Sequence, residues 1–161
     1  MSFRIGTGLD VHEFVEGRPC IIGGVNFEFS KGLKGHSDAD VLLHAICDAL
    51  LGALALGDLG EHFPDTDPQW RGANSEILLK ACDAKVKSLS YKIANLDTIV
   101  VCEAPKIKLH RDAIRSNIAR ILTLEVSQVS VKATTEEKMG YTGSGQGIKA
   151  YATVLLEKQH A

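Results

Sequence analysis

The chain has 161 residues, 45% of them hydrophobic, which is enough for one compact domain with its own core. Its 18 basic and 20 acidic residues nearly balance and form no basic tract, which argues against a nucleic-acid surface but not against binding a single nucleotide. The longest apolar run is broken by His44, Asp48 and Asp58, so no membrane span is expected, and Met1-Ser2-Phe3-Arg4-Ile5 lacks the apolar core of a signal peptide.

Phe3 to His12 reads as the first strand. Residues two apart on a strand share a face, so Asp10 and His12 can reach one ion while Val11 turns away. A carboxylate and an imidazole suit zinc, although such a triplet also arises by chance. Cys20 to Phe29 reads as a hairpin turning at Gly23-Gly24, with alternation in Val25, Phe27 and Phe29. A glycine-rich loop, Lys31 to Gly35, then delivers the chain to His36-Ser37-Asp38-Ala39-Asp40.

Val41 to Leu56 is a long apolar run that predicts a buried helix. Ser37 is the expected N-cap, and Asp40 three residues on gives a capping-box-like pair. Asp40, His44 and Asp48 fall on one helical face. The pattern points to a helix that presents His44 to a metal and its N-terminus to an anion. A hydrogen-bonded core histidine is the other reading of the same stretch. Gly57 to Pro68 is a polar loop stiffened by proline. It is either an ordinary connection or, given its length and Phe63, a functional one.

Asn74 or Ser75 caps a half-buried helix from Ser75 to about Leu89. Tyr91 to Cys102 is a strand ended by Glu103-Ala104-Pro105-Lys106, where proline blocks further pairing. Lys106 at a strand end is a common place for a ligand contact. A third helix runs from about Leu109 to Leu122, with Arg111, Arg115 and Arg120 on its expected solvated face. Val129 to Thr134 is a strand that leads into Thr134-Thr135-Glu136-Glu137 and the glycines of 140–147. Hydroxyls followed by carboxylates suit phosphate plus a hard cation, and the alternative is a flexible hairpin loop. Ile148 to Glu157 closes the chain as a strand apolar on both faces, as if covered twice, by another subunit on one side.

Cys20, Cys47, Cys82 and Cys102 are widely spaced and read as small buried residues of a reducing cytosol, so a cytoplasmic location is expected. Strands and helices alternate, giving an α/β fold with helices packed on a sheet. Two histidines and an aspartate leave an open position on a tetrahedral zinc, the pattern of a working site. With a second, oxygen-loving ion at the Thr-Thr-Glu-Glu run, the pieces suggest phosphoryl chemistry on a nucleotide-like substrate.

The chain resembles the 2-C-methyl-D-erythritol 2,4-cyclodiphosphate synthase family of the non-mevalonate isoprenoid pathway over nearly its whole length. The resemblance is carried by Arg4-Ile5-Gly6, Asp10-Val11-His12, Ile22-Gly23-Gly24, Gly35-His36-Ser37-Asp38-Ala39-Asp40, Gly57-Asp58-Leu59-Gly60, Phe63-Pro64-Asp65-Thr66-Asp67, Ala104-Pro105-Lys106, Lys132-Ala133-Thr134-Thr135 and Glu137-Lys138. It implies a single α/β (α+β) domain, residues 1–161, with a mixed β-sheet and helices on one face, assembled as a homotrimer with sheets facing the centre and active sites between subunits. It implies that the 2-phosphate of 4-diphosphocytidyl-2-C-methyl-D-erythritol 2-phosphate attacks the β-phosphorus of the same molecule, so that a cyclic diphosphate forms and CMP leaves.

By that resemblance Asp10, His12 and His44 bind zinc, and Glu137 helps hold magnesium or manganese. His36 and Thr135 steady the transition state. Asp58 and Gly60, with Leu59 between them, hold the ribose. Phe63, Pro64, Asp65, Thr66 and Asp67 face the methylerythritol part. Cys102, Glu103, Ala104, Pro105, Lys106, Ile107 and Lys108 read cytosine. Thr134 and Thr135 contact phosphate, and Ser37, Glu136, Tyr141 and Ser144 count among the substrate contacts. The sequence departs from the family pattern in Gly143-Ser144-Gly145-Gln146-Gly147, where Gly-Arg-Gly-Glu-Gly is usual. That puts a cavity site for phosphate or prenyl diphosphate in doubt. Asn74 and Cys102-Glu103 also depart, without touching the metal ligands. A metal-dependent nucleotide phosphohydrolase and a non-catalytic nucleotide-binding trimer are the competing readings.

Overall fold

The computed structural model describes residues 2–159. Its centre is a mixed five-stranded sheet in the order β4-β1-β7-β5-β6, built from β1 (Phe3–Val15), β4 (Gly32–Leu33), β5 (Tyr91–Val101), β6 (Val129–Thr134) and β7 (Gly147–Lys158). β1 and β5 flank β7 antiparallel, and β6 alone runs parallel to its neighbour β5. A separate hairpin, β2 (Cys20–Ile22) and β3 (Val25–Phe27), turns at Gly23-Gly24 as its sequence predicts. Both glycines have positive φ, the backbone that such a turn demands.

Three long helices cover one face of the sheet: α1 (Val41–Ala53), α3 (Ser75–Ser88) and α4 (Arg111–Leu122). The period-two alternation sorts each strand accordingly. Ile148, Ala150, Ala152, Val154 and Leu156 of β7 are buried under the helices. On the opposite face Ile5, Leu9 and Val11 of β1 are exposed, beside half-buried Tyr151 and Leu155 of β7. Ile5 keeps 70% of its surface in solvent, an unusual state for an isoleucine in the middle of a sheet.

Helix α1 lies almost on the backbone of β1. A Cβ added at Gly6 would fall 1.9 Å from the Ala49 carbonyl oxygen, and one added at Gly8 would fall 1.9 Å from that of Ala45. Only glycine opposite the small residues Ala45, Ala49 and Ala53 permits this approach. The close fit carries His44 down onto the sheet.

The start of α1 differs from expectation. Ala39 takes a left-handed φ of 60°, so the helix begins after Asp40, which is the N-cap in place of Ser37. The fully buried Asp40 carboxylate accepts from the amides of Leu42 and Leu43 and from Gly23 and Gly24. It thereby joins helix and hairpin, and it fills the N-terminus that the sequence offers to an outside anion. Burial pushes its carboxyl up to about 6, against the pull of those amides. Removing a carboxylate that satisfies four buried amides combines loss of a cap with loss of charge-assisted bonds. Asp40→Ala is therefore expected to destabilise the fold by roughly 2–4 kcal/mol, read as a shifted urea midpoint with unchanged slope.

Helix α1 also ends early, at Ala53. Ala55 turns left-handed, and Leu56 N and Ala55 N bond back to Leu51 O and Gly52 O, a Schellman closure. The polar stretch after it is ordered rather than a bare loop. Asp58 caps a short helix, α2 (Leu59–His62), and Asp67 caps a 3-10 turn at Pro68–Trp70. The glycine-rich segment near the end likewise contains a helical turn, α5 (Gly140–Gly143). Arg115 and Arg120 are not simply solvated: Arg115 donates to Val129 O and Val126 O, and Arg120 pairs with Glu76.

Candidate active site

Three ligand-type atoms converge at the top of β1 under α1. Asp10 Oδ2 lies 2.9 Å from His12 Nε2 and 3.0 Å from His44 Nδ1, and the two ring nitrogens are 3.3 Å apart. The period-two placement of Asp10 and His12 holds, with Val11 on the open face. Among the described residues this is the one group of three His, Cys, Asp or Glu side chains close enough to hold an ion.

The outer nitrogens fix the proton positions. His12 Nδ1 is 2.7 Å from the Lys34 carbonyl oxygen, which accepts only, so Nδ1 carries hydrogen and Nε2 points its lone pair inward. The Ser75 hydroxyl donates to Asp38, whose carboxylate also accepts from the Ser75 amide. With its proton committed, Ser75 accepts from His44 Nε2, 2.8 Å away, and His44 Nδ1 is left as a lone pair toward Asp10. Two lone pairs and a carboxylate aimed at one point repel each other unless a cation or a proton stands between them. Burial opposes the Asp10 charge, but where a proton takes that central place the bonds from the His12 and His44 rings outweigh it and hold the carboxyl well below the usual range. Burial pushes His12 down, and the Asp10 bond and charge more than reverse it, so its pKa is raised. The donor set fits a divalent metal with a fourth position open.

His44 is not read correctly from its own helix. Asp40 turns to the hairpin and Asp48 accepts from Leu59 N, so neither flanking carboxylate serves it. Its partners come from β1 and from the start of α3, distant in sequence. Ser75, Lys34 and Asp38 carried no local signal for this role.

A cavity of about 130 Å³ adjoins the triad and is lined by His12, His36, Ser37, His44, Leu59, Phe63, Asp65, Trp70 and Leu78. It gathers residues that the family resemblance assigns to zinc (His12, His44), to the transition state (His36), to the ribose (Leu59) and to the methylerythritol part (Phe63, Asp65). Trp70, edge-on to Phe63 at 5.0 Å, and Leu78 are additions that sequence reading missed. His36 Nε2 is buried and has no hydrogen-bond partner among the described residues of the protein, which leaves it free to donate or accept.

A second pocket lies at the opposite edge of the sheet, between the end of β5 and the end of β6. Cys102, Pro105, Lys106, Ile107 and Lys108 line it with Thr134 and Thr135. Ile107 is buried, whereas Lys106 and Lys108 are exposed. Burial pushes the Cys102 thiol up to about 12, which makes it a neutral wall. Glu137 has positive φ and accepts from the Thr135 hydroxyl at 2.7 Å. Glu136 departs from expectation: Lys149 and Thr142 engage its carboxylate, and the Lys149 bond holds its pKa low, so it is not a spare metal ligand. Tyr141 and Ser144 line a third pocket, with His12 and Glu13, and Lys149 lies over the Tyr141 ring while it bonds Glu136.

The two main half-sites share one end of the sheet but not one flank. Val11 pairs with Lys149, Lys149 with Val101, and Val101 with Thr134, a row across four strands. Three interstrand spacings put Thr134 roughly 14 Å from Val11 beside the triad, while Glu136 reaches back to Lys149 of β7.

The sequence profile of the YgbB family matches residues 3–157. The 2-C-methyl-D-erythritol 2,4-cyclodiphosphate synthase of Burkholderia cenocepacia is 57% identical over 159 residues, which is 99% of each chain. Among solved structures, the bifunctional IspDF from Campylobacter jejuni superposes with a TM-score of 0.95 at 44% identity. The match covers 98% of this chain and 43% of that longer one. IspF of Plasmodium falciparum, in a CDP complex, superposes at 0.88 with 34% identity over 99% of this chain and 98% of its own.

Proposed function

Because the chain belongs to the YgbB family and has the function of a 2-C-methyl-D-erythritol 2,4-cyclodiphosphate synthase, we propose how its residues divide that reaction. The reaction converts 4-diphosphocytidyl-2-C-methyl-D-erythritol 2-phosphate to the cyclic diphosphate and CMP, as a phosphorus–oxygen lyase of isoprenoid biosynthesis. Its nucleophile is already an anion and its leaving group is a nucleoside monophosphate. The demand on the protein is therefore to fold the substrate in line and to offset repulsion between phosphates.

The convergence of His12 Nε2, His44 Nδ1 and Asp10 Oδ2 carries the proposal. Asp10, His12 and His44 hold zinc, and Glu137 with the Thr135 hydroxyl offers oxygen ligands to magnesium or manganese. Divalent ions held there would supply neutralisation of phosphate charge and polarisation of the phosphorus under attack. His36 presents its unpartnered Nε2 to the reacting phosphate, and Thr135 donates a hydroxyl to it. Ser37 and the Phe63–Asp67 segment take the methylerythritol part, with Phe63 and Trp70 walling it from water. Asp58, Leu59 and Gly60 face the ribose. The pocket from Cys102 to Lys108, with Thr134, takes the cytosine side; the relative from Plasmodium falciparum binds CDP.

Adjacent phosphates of one diphosphate cannot bridge a gap of roughly 14 Å between half-sites. The proposed solution is a homotrimer in which the β1 flank of one chain meets the β6 flank of the next, with the open sheet faces turned to the centre. The exposed Ile5, Leu9 and Val11 supply the apolar surface for it. Leu9→Asp is expected to give monomers by sedimentation and to lower kcat to background, while each chain keeps its metal. A fully active monomer sinks the shared site. No helix among the described residues is long and apolar enough to cross a membrane. All four cysteines are buried and unpaired, which suits the cytoplasm proposed for the reaction.

The test is phosphorus NMR of the diphosphocytidyl substrate with protein, zinc and magnesium. Equal amounts of CMP and cyclic diphosphate are expected. CMP with a linear product would make the protein a hydrolase, and tight CDP binding without turnover would make it a binder.

A further inference from the structure

The segment that carries His36 is held from behind by a residue outside the active site. Four consecutive carbonyl groups there have partners. Lys34 O accepts from His12, and His36 O accepts from Gly72 N at 2.8 Å. The two others go to one side chain: Arg18 donates through Nη1 to Gly35 O at 2.7 Å and through Nη2 to Ser37 O at 2.5 Å. The guanidinium therefore spans the peptide groups on both sides of His36. Arg18 is half-buried in a cleft with Arg71 and Gly72, and His36 and Ser37 form the wall between that cleft and the cavity beside the triad.

We infer that Arg18 is a positioning residue for the phosphoryl transfer, fixing the His36 imidazole toward the substrate by clamping the backbone on either side of it. A planar fork with two parallel donors suits this task, because it sets both the distance and the orientation of the segment. A lysine ammonium reaches one carbonyl and leaves the peptide plane free to turn. Arg18 itself does not line the cavity beside the triad, and its terminal nitrogens donate to the backbone of this segment. The inference rests on the role given to His36 above.

Arg18→Ala and Arg18→Lys, alone and combined with His36→Ala, test it by steady-state kinetics and zinc analysis on the full chain. Arg18→Ala is expected to lower kcat by about 10²-fold, with KM little changed and zinc content equal to that of the parent. Arg18→Lys recovers only a small part, and added guanidinium ion restores part of the Arg18→Ala rate where ammonium ion does not. On the His36→Ala background, Arg18→Ala is expected to cost little more, because the clamp then has nothing to aim. Should Arg18→Ala fail to fold, the same cycle is run with Arg18→Lys. Fully additive losses, an unchanged kcat, or a loss of zinc in step with kcat overturns the inference. If His36→Ala is itself without effect, the role of His36 falls and the clamp falls with it. A damaging His36→Ala beside a harmless Arg18→Ala removes the clamp alone.

Discussion

His44→Ala is expected to leave a folded chain that binds no zinc and whose kcat is lower by on the order of 10²–10³-fold or more. Asp10 and His12 remain after the substitution, but two side chains on one strand are one short of the three that a catalytic zinc ordinarily requires. The fold has reason to survive. The buried start of α3 keeps its bond from Ser75 to Asp38, and the cap of α1 is Asp40, untouched by the change. Elemental analysis separates this from a general loss of structure, since the variant should melt cooperatively while carrying no metal. Retained zinc in His44→Ala would falsify the ligand assignment.

Gly8→Ala, like Gly6→Ala, is expected to be among the most damaging single methyl groups that can be added to the sheet. The new Cβ would sit 1.9 Å from Ala45 O and 2.8 Å from Ala49 N, both backbone atoms that cannot rotate away. Helix α1 must lift, and the cost lies at the upper end of, or above, the ~1–3 kcal/mol usual for overpacking. Lifting α1 also withdraws His44 from Asp10, so zinc affinity falls together with stability. Gly52→Ala in the same helix is the control. Its nearest contact would be 4.0 Å away, and replacing a glycine of helical backbone, here in the last turn, is worth at most roughly 0.5–1 kcal/mol of added stability. A Gly8→Ala variant as stable as the parent, by urea denaturation, would show that the helix can ride higher at no cost.

What could be read from the sequence follows from the range of the interactions involved. Asp10 and His12 were visible because a strand repeats every two residues and needs no knowledge of its neighbours. The hairpin at Gly23-Gly24 was visible because its signals are also local, and so was the helix start at Asn74 or Ser75, of which Asn74 is the cap. The N-cap at Asp40 was missed because its position depends on Ala39 turning left-handed, which alanine seldom does. The surroundings of His44 were misread because helical periodicity nominates Asp40 and Asp48, whereas the fold supplies Asp10 and Ser75. Glu136 and Glu137 look alike in sequence, and only the arrival of Lys149 from β7 tells them apart. Arg18 lies in a turn with no pattern at all; its role exists only because the segment from Lys34 to Ser37 crosses above it.

The row from Val11 to Thr134 has a genetic consequence. If each working centre draws its triad from one chain and its Thr135–Glu137 half from the next, two differently broken copies can rescue one another. His44→Ala and Glu137→Ala subunits, each silent alone, should recover activity when unfolded together and reassembled. Random assortment around a closed ring places an intact triad beside an intact neighbour in roughly one quarter of the centres, which sets the ceiling for recovery. A mixture that stays silent would mean that each chain works by itself.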